Sequence, residues 1–180
     1  MNEDAPPAGL AGRRVRLRAF LQEDEGALGE AVEASREALR RRFSWAAGAG
    51  DHAGFLARSA RENAAGESLV LGIFEPRTGR LAGVAALRGR ESARLSAWVR
   101  PDRQNRGFGT EAGKLIIDHV FKSRELHRIY ARIDPSNRPA RRVLKKLGFR
   151  YEGCLRSDRR LNGRWVDQEC WGLLRSEWKK

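Results

Sequence analysis

Apolar and polar positions along this chain switch between two periods. Strand-like alternation of about two residues marks Arg14 to Phe20. Similar runs follow at Ser68 to Phe74, Leu81 to Leu87, Arg94 to Arg100, Arg128 to Ile133, Arg150 to Arg156 and Val166 to Leu174. Helical spacing links Leu28, Val32 and Leu39, with acids at Glu23, Asp24 and Glu25 suited to a first turn. Asp51 can cap a second helix that runs to about Ala64. A third helix covers Glu111 to Phe121 and a fourth 138–147, opened by Asn137 and ended by Gly148. Glu75 to Arg80 and Asn162-Gly163 are hairpin connections. The pattern predicts an α/β fold: one mixed sheet of about seven strands with helices on both faces. Residues 1–11, with Pro6-Pro7 and Gly9, read as a loose tail, and 12–180 as a single domain without repeats or linker.

Composition narrows the class. The 180 residues suffice for one ordinary core. No run of 18 apolar residues occurs, and Met1 to Asp4 opens no signal peptide, so a soluble cytoplasmic protein is expected. Cys154 and Cys170 lack metal spacing and predict buried free thiols, with no metal site. The net charge of +13 favours anionic company and disfavours polycationic substrates. It carries limited weight, because Lys stands only at 114, 122, 145, 146, 179 and 180, and the Arg bias is that of a GC-rich coding sequence. No interleaving of basic and aromatic residues suggests a nucleic-acid module.

Candidate chemistry concentrates at Gln104-Asn105-Arg106-Gly107-Phe108-Gly109-Thr110, between a strand and a helix. Such a turn aims backbone N–H groups and the positive end of a helix dipole at one point, which suits a phosphate. Flanking Arg103 and Arg106 are expected to strengthen it. The run is no P-loop, lacking Gly-x-x-x-x-Gly-Lys-Ser/Thr. Gly107, Gly109 and Gly113 resemble a dinucleotide fingerprint, but they lie past the middle of the chain, behind a strand of a hairpin series. The bland alternative is a glycine turn that only caps a helix.

Two motifs together decide for a phosphate. Gln104-x-x-Gly107-x-Gly109 resembles the pyrophosphate loop of the GCN5-related N-acetyltransferase (GNAT) family. Asn137, opening a helix that ends in Gly148-Phe149, resembles that family's second hallmark. Leu161 to Asp167 and Trp171 to Trp178 are similar to the RimJ/RimL branch, whose members acetylate N-terminal amines of ribosomal proteins. The resemblance spans roughly 13–178. It implies a mostly antiparallel sheet that splays between the strands flanking the phosphate-loop helix, with acetyl-CoA in the opening. It assigns acetyl-CoA to Trp98, Val99, Gln104, Asn105, Arg106, Gly107, Phe108, Gly109, Thr110, Asn137 and Arg142. Asn137 as a pure helix cap remains equally open, and the two roles are compatible. Trp45 stands as an acceptor-pocket wall or an ordinary core residue.

Proton handling is where the chain departs from that branch. Arg94, Ala140 and Arg159 stand where relatives commonly have an acid, a Ser and a second acid. Asp158 and Tyr151 are the catalytic candidates, with Glu152, Asp167 and Tyr130 nearby. Asp158 qualifies only if a bulge corrects its strand register. Asp167 is expected to pair with an Arg, and Glu152 to be a solvated strand residue. The implied activity is acetyl transfer to a protein N-terminal α-amine by direct attack in a ternary complex. A small-molecule amine, or a catalytically weakened CoA-binding sensor or scaffold, is the alternative. Expected partners are acetyl-CoA and an acceptor such as a ribosomal or other protein N-terminus. Ribosome association and a homodimer are allowed, while membrane and direct nucleic-acid binding are not expected.

Overall fold

One eight-stranded sheet organises the chain, with strand order β1-β2-β3-β4-β5-β6-β8-β7. The structure is a computed structural model and describes residues 9–43, 46, 50–123 and 126–178. The strands are β1 (Leu10–Ala11), β2 (Arg16–Arg18), β3 (Ser68–Phe74), β4 (Leu81–Arg88), β5 (Ser92–Val99), β6 (Arg128–Ile133), β7 (Arg150–Leu161) and β8 (Arg164–Leu174). The helices are α1 (Glu25–Arg40), α2 (His52–Ala64), α3 (Phe108–Ser123) and α4 (Arg138–Lys146). Every strand pair is antiparallel except β5 with β6. The eighth strand arises at the end of the expected tail, where Leu10 lies opposite Leu17 and Ala11 opposite Arg16. The Trp45 expectation lies outside the described residues. Among the described residues, no helix is long and apolar enough to cross a membrane.

Period-two patterning divides the sheet into two packed faces. Leu69, Leu71, Ile73, Ala85 and Leu87 point to a core with α3 and α4, through Ala112, Ile116, Ile117, Val120, Leu144 and Leu147. Their alternates Val70, Phe74, Val84 and Ala86 point to α1 and α2, through Leu28, Val32, Leu39 and Leu56. β3 and β4 are therefore apolar on both sides, as central strands covered by helices must be. Gly113 lets α3 meet α4 closely, since a Cβ there would lie 2.5 Å from Leu147 Cδ1.

Helix α1 is tied to the sheet at three points. Before it, a 3-10 turn at Gln22–Asp24 places Asp24 against Arg18 at 2.6 Å and under the Leu21 N–H at 2.7 Å. Burial opposes ionisation of Asp24, but the Arg18 and Leu21 donors outweigh it and hold the carboxyl below its ordinary value. Asp24 thus serves a buried pair more than the helix dipole. Midway, buried Arg100 reaches Glu30 at 3.0 Å. At the far end, Arg159 Nη2 donates to the Arg42 carbonyl at 2.6 Å and Asn162 Nδ2 to that of Arg40 at 2.9 Å. Such donors satisfy carbonyls that a helix terminus leaves open. Asn162 and Gly163 both take positive φ, 49° and 81°, the signature of a two-residue hairpin turn.

β7 is the outer strand at its end of the sheet, and that overturns the expectation of buried thiols. Cys154 is exposed and Cys170 half-buried, both free. The strand also runs longer than its alternation suggested, reaching Leu161.

Candidate active site

The sheet opens where β5 leaves β6. Their parallel pairing covers only Ser92 with Arg128, Ala93 with Ile129 and Arg94 with Tyr130. β5 stays paired with β4 through Val99, so the β6-facing edge of Leu95–Val99 has no ladder partner. An unpaired strand edge can hydrogen-bond an extended amide-bearing ligand in the manner of an added strand. Trp98 turns toward the α1–α2 side and Val99 toward the α3–α4 side.

The opening leads directly into the glycine turn. Gly107 has φ 84°, a left-handed conformation that a side chain makes costly, and Asn105 has φ 59°. Phe108, Gly109 and Thr110 start α3, so their N–H groups have no carbonyl four residues back within the helix. A Cβ at Gly109 would meet only Val99 Cγ2, at 3.7 Å, so protein packing does not demand glycine there. Space beside these N–H groups is what it preserves. Gln104 Nε2 donates to the Val99 carbonyl at 2.9 Å and fastens the loop to β5.

The cations differ from expectation. Arg103 is committed to Glu75 at 2.6 Å and Asp102 at 3.0 Å, so it braces the loop and does not strengthen a phosphate site. Arg106 is exposed. Arg14 is the cation that sequence spacing missed, its Nε lying 3.6 Å from where a Gly107 Cβ would stand. It is brought there because Glu111, in the first turn of α3, accepts the Arg13 and Arg14 N–H groups at 2.6 and 3.0 Å. No local signal connects residue 14 with residue 107.

On the other side of the opening stands α4. Asn137 Oδ1 accepts the Ala140 N–H at 3.2 Å, so the cap reading holds and the Nδ2 donors remain for a ligand. Arg141 orients this end of the helix, donating to the Pro135 carbonyl at 2.8 Å and to buried Glu169 at 2.5 and 3.2 Å. Trp171 Nε1 adds a bond to Glu169 at 3.0 Å. Sequence reading missed Arg141 and Glu169 because they lie on different elements. Arg142 is exposed on the second turn of α4.

The proton-handling candidates separate. A bulge falls between Leu155 and Arg159 of β7, opposite Gln168 and Val166 of β8. Ser157 there has φ 51°, and its N–H donates to Asp167 Oδ1 at 2.9 Å. Asp167 is thus a bulge clasp, where pairing with an Arg was expected. The bulge brings Asp158 within 3.2 Å of Arg132 Nη1, on the sheet face shared with Arg94 and Tyr130. Tyr151 lies opposite Trp171, with ring centroids 5.5 Å apart, on the α4 face. Asp158 and Tyr151 therefore sit on opposite faces of the sheet. Glu152 is exposed, as expected, and is also forked by Arg128, which holds its carboxyl below the ordinary range.

Arg94 closes the inner end of the opening. It is exposed to the cleft, yet burial of part of its guanidinium lowers its pKa. Tyr130 and Asp158 act to raise it, and Arg132 and Arg159 to lower it. A shallow hollow between α1 and the β7–β8 turn, lined by Glu33, Arg36, Glu37, Arg40, Arg41 and Asn162, lies apart from these residues and is not part of the site.

Residues 14–150 match the family described as "Acetyltransferase (GNAT) domain". The uncharacterized N-acetyltransferase YnaD of Bacillus subtilis (strain 168) is 39% identical over 82 residues, 45% of this chain and 48% of that protein. Two relatives from Escherichia coli (strain K12) carry acceptors in their names. The spermidine N(1)-acetyltransferase is 34% identical over 67 residues, 37% of this chain and 36% of its own length. The [ribosomal protein uS5]-alanine N-acetyltransferase is 27% identical over 118 residues, 63% of this chain and 61% of its own. The alignments with YnaD and the spermidine enzyme thus span half or less of those relatives' lengths. Among solved structures, Mycobacterium smegmatis RimJ in complex with CoA-disulfide superposes with a TM-score of 0.83 at 26% identity, covering 98% of this chain and 87% of that one. A pyrophosphate-type turn at the mouth of a splayed sheet, matched over most of the chain, places this protein in the GNAT acetyltransferase domain family.

Proposed function

We propose that this protein is an acetyl-CoA-dependent N-acetyltransferase whose acceptor is a protein N-terminal α-amine, acetylated by direct attack in a ternary complex. The observation that carries the reading is the unpaired edge of Leu95–Val99 running straight into the Gly107 turn at the start of α3. Phosphates suit the N–H groups of Phe108, Gly109 and Thr110, with Arg14 and Arg106 beside them, and the amide-bearing arm suits the β5 edge and Asn137 Nδ2. Acetyl-CoA supplies the activated acyl group, and no metal is needed for that chemistry. An intracellular acetyl-CoA supply points to the cytoplasm, and nascent or ribosomal proteins there offer α-amines.

The α-amine is favoured over lysine by the weak base equipment. Asp158 shares its charge with Arg132, while Arg94, Ala140 and Arg159 carry no ionisable acid. An α-amine has a pKa near ~8 and is partly neutral at pH 7, whereas a lysine amine near ~10.4 is almost wholly protonated. The relatives named for ribosomal protein uS5 alanine and for spermidine differ in acceptor, so family membership leaves the acceptor to the local chemistry. CoA release in the presence of N-terminal peptides, free lysine and spermidine is the test. Faster turnover of lysine or spermidine than of any peptide N-terminus at pH 7 refutes the α-amine reading. The same three substitutions favour a second reading, a CoA-binding sensor or scaffold. Calorimetric binding of CoA without release on any amine establishes that one.

A further inference from the structure

Three guanidiniums, Arg94, Arg132 and Arg159, gather around one carboxylate, Asp158, on a sheet face whose other carboxylate, Glu152, is taken by Arg128. Asp158 is already used by Arg132, at 3.2 and 3.5 Å. Arg159 spends one nitrogen on the Arg42 carbonyl, and its Nε is buried with no partner. Arg94 has no hydrogen bond or ion pair to any described residue. Like charges held together at partial burial, with donors left over, raise the free energy of the empty protein. A matching anion on a ligand relieves that cost and gains charge-assisted hydrogen bonds.

The anion is not one of CoA's phosphates if those occupy the Gly107 turn. Arg94 and Val99 are five positions apart on one strand, about 16 Å at the usual rise. The pantetheine arm that would bridge this distance is uncharged. The charge therefore comes with the acceptor, on the face between β6, the β7 bulge and the end of α1.

Resting on the acetyltransferase reading above, we infer that Arg94, with Arg132 beside it, binds a carboxylate of the acceptor, so that the preferred protein N-terminus carries Asp or Glu at its second residue. Arg94 takes the carboxylate with its unused fork, while Arg132 is held in place by Asp158. No covalent step involves these arginines; they select and position the acceptor.

The experiment compares tetrapeptides that differ only in Asp, Asn or Lys at the second residue. Wild type should acetylate the Asp peptide with kcat/KM about 10- to 100-fold above its Asn counterpart, the scale of one charge-assisted contact. Arg94→Met should cut this ratio to about threefold or less without raising KM for acetyl-CoA, and Arg94→Glu should reverse it in favour of the Lys peptide. Equal use of Asp and Asn peptides by wild type overturns the inference. So does a preference that survives Arg94→Met, or a rise in acetyl-CoA KM on that substitution. Spectroscopic unfolding of each variant separates a folding failure from loss of the contact. Titration of the same peptides into the CoA-loaded protein measures the preference without turnover. A protein that binds Asp peptides selectively but transfers nothing keeps the subsite and loses the enzyme reading. One that transfers without discrimination does the reverse.

Discussion

The two halves of this site are built by different means. The proposed cofactor half is backbone: an unpaired strand edge, a turn with φ 84° at Gly107, and the first N–H groups of α3. The proposed acceptor half is side chain, with Arg94 from β5, Tyr130 and Arg132 from β6, and Asp158 and Arg159 from the β7 bulge. Backbone donors survive most substitutions, since every residue but proline supplies one. Side-chain constellations change with each replacement. A family can therefore keep its donor of acetyl groups while its acceptors diverge, as the spermidine and uS5-alanine relatives do by name.

Breaking one half should leave the other readable. The largest expected effect is on the support of the acceptor half. Asp24→Ala takes from half-buried Arg18 of β2 its carboxylate partner and should cost about 2 kcal/mol in denaturant unfolding, less than for a fully buried pair. The same pair gives a pH signature. Because the folded-state pKa of Asp24 is depressed, its stabilisation is present above the unfolded value near ~3.9 and is lost as pH falls through the lower folded value. Asp24→Asn should flatten that acid limb of the stability curve; an unchanged limb excludes Asp24 as its source.

Next comes the turn itself. Gly107→Ala should weaken CoA binding roughly 5- to 30-fold, the cost of a side chain in the left-handed region, while the Asp-over-Asn peptide ratio stays as in wild type. Asp158→Asn probes the opposite half. It should lower turnover of an α-amine peptide by about tenfold at pH 7, with the deficit shrinking toward pH 9 as the amine deprotonates unaided. A deficit that persists at pH 9 means Asp158 positions the acceptor and moves no proton. The smallest effect is expected at Arg14, an exposed cation. Arg14→Ala should raise KM for acetyl-CoA by about two- to fivefold at low salt and less at high salt. A change in peptide preference instead would blur the boundary between the halves.

Legibility followed the same division. Gln104 to Thr110 is contiguous, and its turn chemistry, helix start and preceding strand can all be read in order. Asn137 was legible as a cap for the same reason, and its bond to Ala140 is local. Arg103 misled because its partner Glu75 lies on a different hairpin. The Asp158 register turned on a bulge held by Ser157 and Asp167, residues whose types allow a bulge without requiring one. Tyr151 and Asp158 share β7, and the two register irregularities between them make their relative facing a matter of the folded sheet.

The sequence by itself determined the alternating strands, the helices, the Asp51 and Asn137 caps, and a glycine turn at the start of α3, because residue periodicity and capping are written within a few residues. Tertiary structure decided that β5 parts from β6 after Arg94, that Arg14 flanks Gly107, and that three arginines meet one aspartate. Those outcomes depend on the packing of two helical layers against a shared sheet. Distance along the chain carries no information about which charges such packing brings face to face.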